Sequence, residues 1–172
     1  MDLEIKGKVA IIGGASKGLG RACADVLAEE GARITICSRT KEDLEQAAAE
    51  IRDTYDAEVM VFAGDLDKNE VIQDLINQTV SHYGQLDIMV NNSGGPPLAR
   101  SVNATEEQWE TAVQRSLFFF ARMSREAIPH LKKQGTGRIV NILASTVYQP
   151  IPNLALSRSE ERRVGKECRS RW

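Results

Sequence analysis

The densest chemistry in the sequence lies near its start, in the run Gly13-Gly14-Ala15-Ser16-Lys17-Gly18-Leu19-Gly20. Glycine tolerates positive φ and carries no Cβ, so backbone at Gly14, Gly18 and Gly20 can approach a ligand closely. The run stands between an apolar strand signal and a helical pattern. A helix opening there offers unpaired N–H groups and a positive dipole end to a phosphate. Ser16, Lys17 and Leu19 ride on the same turn, and Lys17 adds a point charge. The predicted chemistry is therefore capture of a phosphorylated ligand by backbone. Metal chemistry is not expected, because His82 and His130 have no Cys or His at ligand spacing.

Such a turn needs a scaffold, and the remaining pattern supplies one. Val9–Ile12 is an apolar run ended by glycine, read as a buried strand. Residues 18–30 place Leu19, Cys23, Val26 and Leu27 at helical spacing and stop at Gly31. Strand signals follow at 33–37, 58–63, 86–90 and 138–143, and helical signals at 41–55, 67–83 and 105–133. The last helix is expected to bend before Pro129. Apolar strands alternating with helices predict parallel strands buried on both faces, hence an α/β doubly wound, Rossmann-like sheet that stops after strand five.

The glycine spacing is Gly-x-x-x-Gly-x-Gly (Gly14, Gly18, Gly20), and further segments stand in register with it. Asp65-Leu66 follows strand three, Asn91-Asn92-Ser93-Gly94 follows strand four, Trp109 lies in the long helix, and Gly137–Ile142 forms strand five. Together these resemble the short-chain dehydrogenase/reductase family over about residues 5 to 157. The departures are Gly13 where the family has Thr, and Ser93 where it has Ala. The resemblance implies an NAD(P)-dependent oxidoreductase acting on a small carbonyl or alcohol. It places Asp65 and Leu66 near an adenine, and Asn92, Ser93 and Gly94 among the cofactor-binding residues. It also implies that the long helix, with Phe118-Phe119-Phe120, serves as core and as subunit contact in a homodimer or homotetramer.

A carboxylate closing strand two would bind the ribose 2′-hydroxyl of NAD, whereas a 2′-phosphate calls for cations. Strand two ends Cys37-Ser38-Arg39. Arg39 can grip a phosphate bidentately, and Lys17 can assist. NADP is therefore expected over NAD.

Hydride transfer to a carbonyl also needs an acid for the developing alkoxide and a donor to hold its oxygen. The family resembled supplies Tyr-x-x-x-Lys, an upstream Ser and an Asn in the long helix. Here Tyr55 leads to Val59, Tyr83 to Asp87 and Tyr148 to Pro152, so no tyrosine has its lysine. Ser116 fills the Asn slot; the upstream Ser slot falls at Ala144 or Ser145, depending on a one-residue choice of register, and Ser145 is the one catalytic candidate carried over. The family's Tyr should fall near Ser157–Ser159, where the pattern changes: residues 158–172 show neither helical stripe nor strand alternation. That stretch resembles the in-frame translation of a common sequencing adapter. The expectation is a dinucleotide-binding fragment over 1–157, inactive alone, followed by a non-native tail over 158–172. A non-catalytic dinucleotide-binding or sensor protein is the alternative, and a sugar-nucleotide epimerase is disfavoured by the glycine spacing.

Composition narrows the classes further. The 172 residues are 42% hydrophobic and 27% charged, which excludes disorder. No apolar stretch is long enough to span a membrane, and residues 1–8 lack a secretion signal, so a cytoplasmic protein without membrane partners is expected. Cys23, Cys37 and Cys168 are too scattered for a disulfide or zinc framework, and the first two read as small core residues. Net charge is −2, giving no reason to expect nucleic acid. Six of the 22 Lys+Arg lie in 158–172, leaving residues 1–157 mildly acidic.

Overall fold

Apolar, β-branched segments of four to six residues become strands, and the amphipathic segments between them become helices. The strands are β1 (Val9–Gly13), β2 (Arg33–Ser38), β3 (Val59–Ala63), β4 (Ile88–Asn91) and β5 (Arg138–Asn141). The helices are α1 (Gly18–Glu29), α2 (Lys41–Tyr55), α3 (Asn69–Tyr83), α4 (Glu106–Val113) and α5 (Phe119–Lys133). This computed structural model describes residues 3–95, 103–143 and 156. The described residues fall into two compact units, one within 3–92 and 122–142, the other within 93–121 together with 143 and 156.

In the first unit all five strands are parallel, in the order β3-β2-β1-β4-β5. Ile11 pairs with Thr35 on one side and Met89 on the other, so β1 is the centre of the sheet. The chain winds outward to β3 and then returns to the opposite side of β1. Between β1 and β4, therefore, lies the topological switch point where such sheets open a crevice. The predicted doubly wound α/β sheet is the architecture found.

Strand alternation sorts the core into two layers. Ala10, Ile12, Ile34, Ile36, Val59, Ile88 and Val90 join Leu44, Ala47, Ala48 and Ile51 of α2 in one apolar cluster. The buried stripe of α1 is Gly20, Ala24 and Ala28, small residues that let the helix lie close to the sheet. On the other face Thr79 of α3 donates to Thr35 Oγ1 at 3.1 Å, beside buried Ile72, Leu75 and Ile76. At the opposite edge from the glycine turn, buried Asp87 accepts the Val9 N–H and the Gln85 amide, both at 2.8 Å. Lys8 Nζ lies 3.3 Å from its second oxygen.

Two expectations need correction. The third helix begins at Asn69, not Asp67. Asp65 Oδ1 accepts the Asp67 N–H at 3.2 Å and its carbonyl accepts the Lys68 N–H, which commits 65–68 to a turn. The long helical region is not one continuous helix: a π-helical turn at Gln114–Phe118 divides it, and α5 runs on through Pro129.

In the second unit, Thr105 and Gln108 form a reciprocal capping box that starts α4. Ser116 within the π-helical turn donates to the Ala112 carbonyl at 2.6 Å. Phe119 is buried and meets Phe120 edge to face, while Phe118 is exposed. No helix among the described residues is long and apolar enough to cross a membrane.

Candidate functional site

β1 delivers its last residues into a turn whose glycines do different work. Asn92, one residue beyond β4, donates from Nδ2 to the Gly13 carbonyl at 3.1 Å and to the Gly14 carbonyl at 3.4 Å. A Cβ on Gly13 would sit 2.7 Å from the Asn92 carbonyl oxygen. One on Gly20 would sit 2.4 Å from the Gly14 carbonyl and 2.7 Å from Asn92 Nδ2. Gly13 and Gly20 are thus packing glycines. Gly18 differs: its φ is +63° and an added Cβ would meet nothing within 4 Å, so the space over it is open.

The start of α1 completes this cradle. Lys17 stands at the N-cap in extended conformation with no side-chain cap, and the first turn holds no acidic residue. The first N–H groups of α1 consequently lack a side-chain acceptor and face no repelling carboxylate, the state an anion would complete. A diphosphate fits here on steric and electrostatic grounds alike.

Neighbouring strand ends are stitched to the turn. The Ala15 N–H bonds the Cys37 carbonyl at 3.1 Å, and the Gly64 N–H bonds the Ser38 carbonyl at 2.9 Å. Arg39 follows directly and is exposed, as is Lys17. Among the described residues neither cation has an acidic partner. Asp65 and Leu66 lie half-buried just past β3. The structure therefore brings Gly14, Gly18, Gly20 and Asn92 into one cradle, with Ser16, Lys17 and Leu19 on its turn. Ser38, Arg39, Asp65 and Leu66 stand along the same sheet edge.

Ser93 and Gly94 belong to the second unit, where the Ser93 hydroxyl donates to the Arg115 carbonyl at 3.0 Å. The alanine expected at that position could not make this bond. Ser145, Tyr148 and residues 157–172 lie outside the described residues. Tyr83 is buried, with its hydroxyl within 3.2 Å of the Ile34 carbonyl at the far end of the sheet. Burial pushes its phenol up to about 12, with the Glu58 charge adding to the rise. It is neither placed nor tuned to protonate a substrate. Tyr55 packs half-buried against the core.

Two polar features were not foreseen. Asn91, fully buried, donates to Asn141 Oδ1 at 2.8 Å and to Ser124 Oγ at 3.4 Å. The two asparagines end paired strands in register, a signal the sequence carries only once the strand order is known. The other is Arg122, whose guanidinium donates to the Asp67 carbonyl at 2.9 Å across 55 residues of chain. No spacing rule could have announced it.

Residues 8–156 match the family described as short chain dehydrogenase. An uncharacterised oxidoreductase of Staphylococcus epidermidis is 28% identical over 147 residues, covering 86% of this chain and 62% of its own. The crystal structure of L-sorbose reductase from Gluconobacter frateurii with NADPH and L-sorbose superposes with a TM-score of 0.90 at 28% identity. That match covers 95% of this chain and 62% of the reductase. The alcohol dehydrogenase of the archaeon Thermococcus sibiricus, complexed with 5-hydroxy-NADP, gives 0.85 at 26% identity, covering 91% and 66%. The chain thus spans less than two thirds of the length of these relatives.

Proposed function

The chain belongs to the short-chain dehydrogenase family, and from that premise we propose that residues 1–157 form the dinucleotide-binding part of an NADP(H)-dependent oxidoreductase. The reaction is hydride transfer between the nicotinamide and a ketone or secondary alcohol, with a 3-oxoacyl thioester as the nearest analogy for substrate. The observation that carries this reading is the cradle itself: an uncapped helix start, open space over Gly18, and Asn92 locking the turn from below. Two similar proteins were solved with NADPH and with an NADP derivative, which supports the same cofactor class.

Within that reading the residues divide the work. The first N–H groups of α1 and the turn at Gly14–Gly18 hold the diphosphate. Arg39 and Lys17, without acidic partners among the described residues, take the 2′-phosphate, and no carboxylate at the end of β2 competes for a 2′-hydroxyl. Asp65 and Leu66 serve the adenine end, and Asn92 holds the turn in its binding shape. Ser93 and Gly94 are assigned to the nicotinamide side, and Ser145 to the substrate oxygen. The bound nicotinamide supplies the hydride acceptor or donor. Equilibrium binding of NADPH and NADH to the 172-residue chain tests the choice of cofactor. NADPH should bind about tenfold tighter, the worth of one charge-assisted phosphate contact. Equal affinity, or a preference for NADH, refutes it.

A non-catalytic dinucleotide-binding role is favoured by one observation: the hydroxyl of Ser116, in the slot of the family's Asn, is bonded into its own helix. The native sequence beyond Leu156 separates the readings, since Tyr-x-x-x-Lys there makes an enzyme and its absence a binding protein. We further propose that 158–172 is non-native, which an uninterrupted genomic frame through Trp172 would refute. The chain as it stands should give no NADPH oxidation with any ketone, and measurable turnover overturns that expectation.

A further inference from the structure

Three side chains of α5 reach across to the turn after β3 and to the start of α3. Arg122 donates to the Asp67 carbonyl at 2.9 Å, Arg125 to Asn69 Oδ1 at 2.9 Å, and Glu126 accepts from Gln73 at 3.3 Å. The latter two contacts are exposed and add little. The Arg122 bond is partly buried and reaches the backbone itself. It lands on the one residue whose N–H is already committed to the Asp65 carboxylate, at 3.2 Å from Oδ1. The carbonyl and the N–H belong to the two peptide units either side of the Asp67 Cα, so holding the carbonyl restrains Asp67 and, through it, the N–H that the Asp65 carboxylate accepts. Among the described residues nothing else bonds the Asp65 side chain, so its second oxygen is available to a ligand. A carboxylate oxygen accepts only, and the complementary group on a nucleotide base is an exocyclic amine.

We propose that Arg122 is a positioning residue for adenine recognition: by bonding the Asp67 carbonyl it fixes the Asp65–Lys68 turn so that the Asp65 carboxylate meets the adenine amine. This rests on the assignment of Asp65 to the adenine end. Arg122 touches no ligand in this arrangement. Its effect falls on base selectivity, because its bond to the Asp67 carbonyl lies in the turn after β3, whereas the phosphate cradle is built from Gly14–Gly20 and Asn92.

The test is equilibrium binding of NADPH and of its hypoxanthine analogue, which carries a carbonyl where adenine carries the amine, to the 172-residue chain. The wild-type chain should prefer adenine by about tenfold, the worth of a hydrogen bond to a charged acceptor. Arg122→Ala should reduce that preference to about twofold or less while leaving the NADPH-to-NADH ratio unchanged, and Arg122→Lys, which retains a donor, should restore most of it. If Arg122→Ala loses its far-UV circular dichroism, Arg122→Gln takes its place with the same thresholds. Asp65→Ala separates the premise from the proposal. Should Asp65→Ala keep the adenine preference, the adenine assignment fails and the proposal with it. Should Asp65→Ala abolish the preference while the Arg122 variants retain it, the role of Arg122 alone is refuted. Loss of affinity for both nucleotides equally on Arg122→Ala also refutes it, since that marks a merely structural contact.

Discussion

Replacing Gly20 by Ala should damage this protein far more than replacing Gly18, although both glycines open the same helix. At Gly20 the new methyl would stand 2.4 Å from the Gly14 carbonyl and 2.7 Å from the Gly13 carbonyl. Ordinary contact begins at 3.4 Å, so the Gly14 oxygen must retreat by about 1.0 Å. It cannot do so freely, because Asn92 Nδ2 is bonded to both carbonyls and would itself lie 2.7 Å from the methyl. Overpacking of this kind costs about 1–3 kcal/mol, and weakening the two Asn92 bonds adds about 1 kcal/mol between them. A total of about 3 kcal/mol is a large share of the roughly 5–15 kcal/mol that holds a domain folded. For a chain of this size it lowers Tm by about 6–12 °C. Gly18→Ala meets no atom and bears only the left-handed backbone penalty, about 1 kcal/mol. Its methyl does enter the open space, so nucleotide affinity should fall while stability largely survives. Urea denaturation followed by circular dichroism, with NADPH titration of each variant, measures both quantities. If Gly20→Ala matches wild-type stability within about 0.5 kcal/mol, or Gly18→Ala unfolds more easily than Gly20→Ala, the division of labour among the glycines is wrong.

Other substitutions probe other layers. Asn92→Ala removes both bonds to the turn and should cost about 1–2 kcal/mol and about tenfold in NADPH affinity; unchanged affinity by titration would show that the turn holds its shape unaided. Asp87→Ala strands the buried Val9 N–H and should cost about 2–4 kcal/mol in urea denaturation, with nucleotide selectivity untouched; a neutral result would mean that water replaces the carboxylate. Burial pushes the Cys37 thiol up to about 12 from an ordinary 9.0, and the Tyr83 phenol to about 12 from 10.0. Both folded values are raised, so this stability is complete below pH 9 and is lost as pH climbs from 9 toward 12. Cys37→Ala should flatten the alkaline limb of a stability–pH curve, and an equally steep limb would refute the assignment. At pH 8 the native Cys37 should also resist alkylation, with mass spectrometry of the modified peptide as the check.

The sheet was legible because its strands are apolar runs cut off by glycine, and that pattern depends only on neighbours along the chain. The pattern places α2 at Lys41–Tyr55, where the structure has it, since its stripe of Leu44, Ala47, Ala48 and Ile51 is local. The start of α3 is not legible in the same way, because Asp67 looks like any helix-opening acid. What holds it in a turn is the Asp65 carboxylate and a guanidinium from 55 residues away. The π-helical turn at Gln114–Phe118 was invisible for a similar reason: proline is a breaker that a sequence displays, whereas a widened turn has no residue signature. At the site, the glycine spacing revealed the cradle but not which glycine packs and which leaves space. That distinction lives in Asn92, which the sequence marked only as part of a motif.

One feature of the sheet sets how a ligand meets it. The hydrogen bonding does not stop where the strands stop: Ala15 bonds Cys37, Gly64 bonds Ser38, Asn92 bonds Gly13, and Ile142 bonds Asn91 at 2.9 Å. The rim is thus tied off before any nucleotide arrives. Ordering of these loops is an entropic cost met during folding, so on the proposed reading a nucleotide would meet loops already hydrogen-bonded in place. The amides of Ala15 and Gly64 should accordingly exchange slowly with deuterium in the ligand-free chain, and gain little further protection when nucleotide is added.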